Sequence, residues 1–139
     1  MKAAAERKTK TAPAWLARWG PVLAWLSMIF VLSDQPDFGP PGLDVPGLDK
    51  LAHVVEYAIL GLLLRRAGRV SRQAGWGGMM GLCALGGLLW ACTDELHQAR
   101  VPGREGDWRD LLADAAGLVL GLGLGAVRRR RAARRANHA

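Results

Sequence analysis

The stretch CTDELHQARVPGREGDWRDLLAD, residues 92–114, holds six carboxylic acids, three arginines, a histidine and a glutamine between two very apolar runs. Acids beside a histidine offer proton transfer or metal ligation, and arginine offers a planar fork for a phosphate or carboxylate. A second group of such residues lies upstream. Asp49, His53, Glu56 and Tyr57 are spaced i, i+4, i+7, i+8 and so share one helical face, with Lys50 at its edge.

His53 titrates near neutrality when unperturbed, which makes it a candidate acid/base group or metal ligand. An imidazole bonded to a carboxylate across a helix pair is the structural alternative. Glu95 and Asp110 are candidate carboxylate bases, although carboxylates around one arginine also make a purely structural network. Arg104 is a candidate anion clamp, or the partner of Asp94, Asp107 or Asp110. His53, Glu56, Glu95 and His97 carry metal-donor atoms, but no HExxH-type spacing joins them, so neither a metal nor a cofactor is expected.

These residues must be positioned by four apolar segments, at roughly 14–32, 48–64, 74–96 and 111–127, each near the ~20 residues that a helix needs to cross a bilayer. The mean hydropathy of +0.07 also fits a soluble bundle. Charge sorting does not. If all four segments span, Lys2, Arg7, Lys8, Lys10 and Arg18, the loop arginines 65, 66, 69 and 72, and the C-terminal arginines 128–131, 134 and 135 share one face. That face then holds fifteen of the nineteen cations, a positive-inside pattern with both termini cytoplasmic. Of the acids only Glu6 lies there; the other eleven fall in the opposite loops or the helix ends beside them.

The tryptophans agree with this frame. Trp15, Trp19 and Trp76 lie near the inner boundary, Trp90 and Trp108 near the outer one, and Trp25 falls mid-span. The first segment follows basic residues, but FVLSDQPD lacks an A-x-A-like cleavage site, so it reads as a retained helix. Cys83 and Cys92, nine apart, fall on opposite faces of one helix and cannot pair within it. The cations form separate patches without a recognition helix or aromatic RNA motif, so no nucleic-acid partner is expected. Gly77 and Gly81 in the third segment, and Ala113, Gly117, Gly121 and Gly125 in the fourth, recur every four residues, a spacing that lets helix backbones approach closely.

Within this frame Tyr57 lies about 12 Å below Asp49. Ionisable groups at that depth cost about 2.5 to 3.5 kcal/mol each, so Glu56 calls for a partner. Asp94 shares a face with His97 and Gln98, bordered by Glu95. After the VPGR turn, Asp107, Asp110, Asp114, Gly117 and Gly121 form one stripe, acidic above and small below. Three helices thus direct polar faces to a common outer pocket, with Arg100, Arg104 and Arg109 as the cations expected to neutralise it.

DKLAHVVEYAILG followed by TDELHQARVPGREGDWRDLLADAAG resembles the VanZ-like family of small bacterial membrane proteins, over roughly residues 33–125. The family pattern runs DK-x-x-H-x-x-x-Y-x-x-L, DE-x-x-Q, PGR and D-x-x-x-N/D-x-x-G. It falls here on Asp49, Lys50, His53, Tyr57, Asp94, Glu95, Gln98, Arg104, Asp110, Asp114 and Gly117. Asp114 stands where members often have Asn. The resemblance implies a cell-envelope context in the bacterial plasma membrane and, through one member, a link to low-level teicoplanin resistance.

The expected fold is all-α, a four-helix transmembrane bundle over 14–127 with basic tails at 1–13 and 128–139 and a polar pocket on the outer face. Its expected partners are the lipid bilayer and an anionic lipid or cell-wall precursor. Three functions follow from that pocket. The first is binding of an envelope ligand by Asp49, Lys50, Tyr57, Asp94, Gln98, Arg104 and Asp114. The second is an intramembrane enzyme using His53, Glu95 and Asp110 as acid/base candidates and Arg104 as clamp. The third is a proton-coupled transporter, which is disfavoured because no polar path continues inward.

Overall fold

The computed structural model describes residues 13–35, 47–69, 76–104 and 106–136, with side chains up to Leu124 except that of Trp76. The basic N-terminal tail, the Pro/Gly-rich connector, Arg72, Glu105 and the side chains of the C-terminal arginines lie outside the described residues. The architecture is all-α, with helices α1 (Ala14–Ser33), α2 (Leu48–Gly68), α3 (Trp76–Gln98) and α4 (Trp108–Ala136).

Several helices run past their apolar segments because local hydrogen bonds, not hydropathy, decide where they end. α2 continues to Gly68, and the guanidinium of Arg65 donates to the carbonyl of Leu122 at 2.6 Å. α3 continues to Gln98 and winds out through bonds from Ala99 N to Glu95 O and from Val101 N to Gln98 O. Gly103 then takes φ +86°, a left-handed conformation natural to glycine, and Arg104 N closes the turn on Val101 O at 3.1 Å. α4 starts early, at Trp108. Asp107 caps it by accepting the N–H of Arg109 at 2.9 Å, which satisfies one of the free donors of the first turn.

The most extensive helix pair is α2 with α4. Its contacts keep a nearly constant sequence offset, Lys50 to Asp110, His53 to Asp114 and Gly61 beside Gly121, so the two helices run parallel. Close approach is possible because small residues face each other. A Cβ at Gly117 would overlap the carbonyl of Val54, one at Gly121 the carbonyl of Ala58, and one at Gly61 would come within 2.6 Å of the carbonyl of Leu118.

Gly77 and Gly81 do not take part in this packing. Both face open space, contrary to the expectation from their spacing. α3 is rotated so that Cys83, Gly87 and Ala91 face inward, and Gly87 is the position that accommodates a neighbour, Leu118 of α4. Continuing that face by helical spacing reaches Asp94 and Gln98, which are buried for the same geometric reason. The cysteines follow suit: Cys83 is buried, Cys92 is exposed, and both are free.

The core of Val22, Ile29, Tyr57, Leu60, Ala91 and Leu118 is small, while Leu23, Val31, Leu82, Leu85, Leu89, Val119 and Leu120 point outward. Among the described helices two are long and apolar enough to cross a membrane, Ala14–Ser33 and Gly77–Gln98. α2 falls short of that composition because Asp49, Lys50, His53, Glu56, Arg65 and Arg66 interrupt it.

Candidate functional site

One end of the bundle, where α1 and α3 finish and α2 and α4 begin, collects the ionisable residues. α2 and α4 meet there through two rungs. Lys50 Nζ lies 2.6 Å from Asp110 Oδ1, 3.0 Å from Asp107 Oδ2 and 3.0 Å from Asp49 Oδ2. One helical turn deeper, His53 Nδ1 lies 2.8 Å from Asp114 Oδ1, with Asp114 only 1% exposed. With Asp114 ionised the carboxylate can only accept, so Nδ1 donates the shared proton; in the neutral ring Nε2 is then the acceptor, and in the protonated ring it is a second donor.

Neutralisation therefore differs from the sequence expectation. Lys50, read as an edge residue, sits among three carboxylates, and His53 answers Asp114. The three arginines turn elsewhere. Arg100, in the turn after α3, donates back to the carbonyl of Leu96 at 3.0 Å, and Arg109 lies over the ring of Trp108. Arg104 donates to the carbonyl of Ser33 at 3.4 Å and forms no ion pair among the described residues. Lys50 is favoured by reach: one turn into α2, its four-carbon stem spans to α4 while the arginines leave from a loop or an outward face.

α1 contributes residues that the sequence reading did not single out. Ser33 Oγ donates to Asp94 Oδ2 at 2.8 Å, and the amide of Gln98 donates to both Ser33 Oγ and Asp94 Oδ2 at 3.1 Å. All three side chains are buried. His97 bonds to Asp34 at 3.2 Å and stacks on Phe30, their ring centroids 4.6 Å apart, so it faces α1 and not His53. The polar SDQ at the end of an otherwise apolar segment was the available signal.

Glu95 Oε1 accepts the backbone N–H of Asp107 at 2.5 Å and so ties α3 to the start of α4. Asp107 lies just outside α4; the N–H of Arg109 and then the Lys50 ammonium hold its carboxyl below the usual carboxylate range. Glu56 finds no side-chain hydrogen bond among the described residues, contrary to expectation. It is half-buried, and its backbone carbonyl instead accepts the indole N–H of Trp25 at 2.9 Å. Among the described residues no three His, Cys, Asp or Glu side chains are arranged to hold a metal ion.

The Lys50–Asp110 and His53–Asp114 rungs above Gly117, with Asp94 and Gln98 facing them, bring the DK-x-x-H, DE-x-x-Q and D-x-x-x-D-x-x-G elements to one end of the fold. Residues 11–129 match the family model described as VanZ/LLP1. The chain belongs to the VanZ/LLP1 family. With its two apolar helices it is a VanZ-like membrane protein. Neither a curated protein nor a solved structure matches it. Of the VanZ-like polar positions, Lys50, His53, Asp110 and Asp114 are joined in the two rungs, Asp94 and Gln98 in the Ser33 network, and Glu95 and Arg104 at the turn. Tyr57 is fully buried beneath them. Asp49 is exposed and, among the described residues, touches the group through Lys50.

Proposed function

We propose that this VanZ-like protein crosses the bacterial plasma membrane four times, with both termini cytoplasmic and the His53 end of the bundle on the outer face. There it binds an envelope ligand, a lipid headgroup, a cell-wall precursor or a glycopeptide antibiotic, and so modulates teicoplanin-type susceptibility. The observation that carries the reading is a buried polar cluster inside a bundle whose exterior is apolar. Soluble domains bury apolar groups and expose charge; ionisable groups inside a lipid-facing bundle are costly and are kept where they bind or transfer something. The sorting of cations to the opposite loops supports the orientation.

Topology is tested with single cysteines in a chain lacking Cys83 and Cys92. Val45→Cys and Pro102→Cys should react with an impermeant thiol reagent in intact cells, and Val70→Cys should not. Reversed labelling would overturn the orientation. For the ligand, glycopeptide susceptibility and envelope lipids are compared between cells carrying wild type and cells carrying His53→Ala, Glu95→Gln or Arg104→Lys at matched protein levels. Unchanged profiles at equal levels would remove the binding reading.

The His53–Asp114 pair favours a second reading, an intramembrane enzyme acting on a lipid-linked substrate. A carboxylate that holds an imidazole in one tautomer leaves Nε2 available as a base. Accumulation of a lipid-linked species in the His53→Ala strain, with normal protein levels, is its signature.

A further inference from the structure

The end of the bundle opposite the polar cluster carries charge of one sign. α1 and α3 begin there and α2 and α4 finish there, and the described residues include no aspartate or glutamate at positions 13–33, 57–69, 76–93 or 115–136. The same stretches hold Arg18 and Arg66, both exposed, and the six arginines at 128–131, 134 and 135. α4 also outruns its neighbour. At the sixty-residue offset of Lys50 and Asp110, the last residue of α2, Gly68, is level with Arg128. From there α4 continues to Ala136, about 12 Å further at 1.5 Å per residue.

Arginine and alanine each favour helix, but this extension sets like charges against one another. Arg130 and Arg134, and Arg131 and Arg135, stand at i, i+4, a spacing at which like charges oppose helix formation. An interleaved acid would relieve them, and the sequence from 115 to 139 has none. The helix therefore calls for negative charge that the described helices do not supply.

The residues just before the extension decide what lies nearest to it. Val119, Leu120 and Leu124 are 67%, 52% and 55% exposed, so an apolar outer surface runs to within about one helical turn of Arg128. Acyl chains packed on that surface end in headgroups where the arginines begin. A headgroup layer is about 5 to 8 Å deep on each side of a bilayer. Arg128 to Arg131 rise about 5 Å and stand within it, while Arg134 and Arg135, about 9 to 11 Å beyond Arg128, stand at its aqueous edge. Lipid phosphates thus meet the extension by position alone, whereas a nucleic acid or an acidic protein would have to be recruited to it.

We infer that the C-terminal extension of α4 is a binding arm for anionic phospholipid headgroups, with Arg128 to Arg131 at phosphate depth. Phosphate oxygens suit the planar fork of arginine, and juxtamembrane clusters of four to eight cations attract anionic lipid. A zwitterionic headgroup brings its own ammonium and leaves the cluster's charge unanswered, so phosphatidylglycerol is preferred to phosphatidylcholine. The inference rests on the reading that α4 crosses the bilayer, and it holds whichever side of the membrane that end meets.

The test uses the full chain in neutral detergent micelles with an equimolar mixture of phosphatidylglycerol and phosphatidylcholine of the same acyl chains. Lipid that stays with the protein through gel filtration is measured by mass spectrometry. Phosphatidylglycerol should be enriched, and less so as salt is raised. Arg128→Gln, Arg129→Gln, Arg130→Gln and Arg131→Gln together, with helix content checked by circular dichroism, should lower the enrichment about fivefold or more, the effect of one or more cations at an anionic surface. Four Arg→Lys replacements at the same positions should keep most of it, and Arg134→Gln with Arg135→Gln should lower it less. Equal retention of the two lipids, or an enrichment untouched by the four glutamines, would overturn the inference. Binding of a short duplex oligonucleotide that the four glutamines abolish, with no preference between lipids, would reassign the arm to nucleic acid. Cysteine labelling separates this from the orientation: reversed labelling with enrichment intact removes only the orientation, and expected labelling without enrichment removes only the lipid arm.

Discussion

His53 Nδ1 and Asp114 Oδ1 lie 2.8 Å apart, one turn beneath the Lys50–Asp110 ion pair and one turn above the Gly117 contact. The pair thus sits between a charged rung and a seam of small residues that sets the separation of α2 and α4. Replacing Asp114 by Ala leaves a buried imidazole without its partner, and the expected loss is about 1 to 3 kcal/mol. Asp114→Asn retains an acceptor oxygen and should lose less. Unfolding in mixed micelles measures both, and a double replacement with His53→Ala should cost less than the sum of the single ones. Equal losses for Ala and Asn would deny the hydrogen bond its role.

The glycines divide into two classes that substitution should separate. Gly121→Ala drives a methyl into the carbonyl of Ala58, and backbone cannot yield as a side chain does, so about 1 to 3 kcal/mol of stability should be lost. Gly81→Ala meets nothing within 4 Å and should be neutral or slightly stabilising, since alanine favours helix by about 0.8 to 1 kcal/mol over glycine. A melting temperature for each variant decides the matter; the opposite ranking would contradict the packing of α2 on α4.

Asp107 predicts a pH dependence. Its carboxyl is held below the usual range, first by the N–H of Arg109 and then by Lys50, so the folded state binds its proton less readily than the unfolded chain. The contribution is present above the ordinary carboxylate range and is lost as pH falls through the lowered folded value. Lys50→Met should raise the titration midpoint of Asp107 towards the usual range without abolishing the shift, because the Arg109 N–H remains. Carboxyl chemical shifts followed by NMR from neutral to acid pH measure it, and an unmoved midpoint would show that the ammonium contributes nothing.

Ser33 holds α1 to α3 through Asp94 and Gln98. Ser33→Ala should destabilise by about 1 kcal/mol, the usual net value of one hydrogen bond, and Gln98→Leu should add little on top of it because the two share a network. Full additivity would mean that Asp94 is held by independent contacts.

Much of the polar end is legible in the chain itself. Apolar period and length call for four helices, and the alternation of direction brings the ends of the first and third to the starts of the second and fourth. That alone gathers Lys50, His53, Asp94 and Asp110 at one end. Helical spacing also assigns Asp114, Gly117 and Gly121 to one stripe.

Partner choice was not legible, because it depends on how each helix is rotated and shifted against its neighbour. The parallel register of α2 and α4, set by Gly61, Gly117 and Gly121, selects Lys50 and His53 as the partners of the α4 acids and leaves the arginines outside. The rotation of α3 turns Gly87 inward and Gly77 and Gly81 outward, though all are glycines in one apolar run. α1 enters the network through Ser33, a residue whose type carries little signal until Asp94 is placed 2.8 Å from it. Sequence determined which helix ends meet here and most of the ionisable residues they carry; the close fit of backbones decided which atoms bond, since a shift of one residue along either helix moves a side chain by about 100° around it.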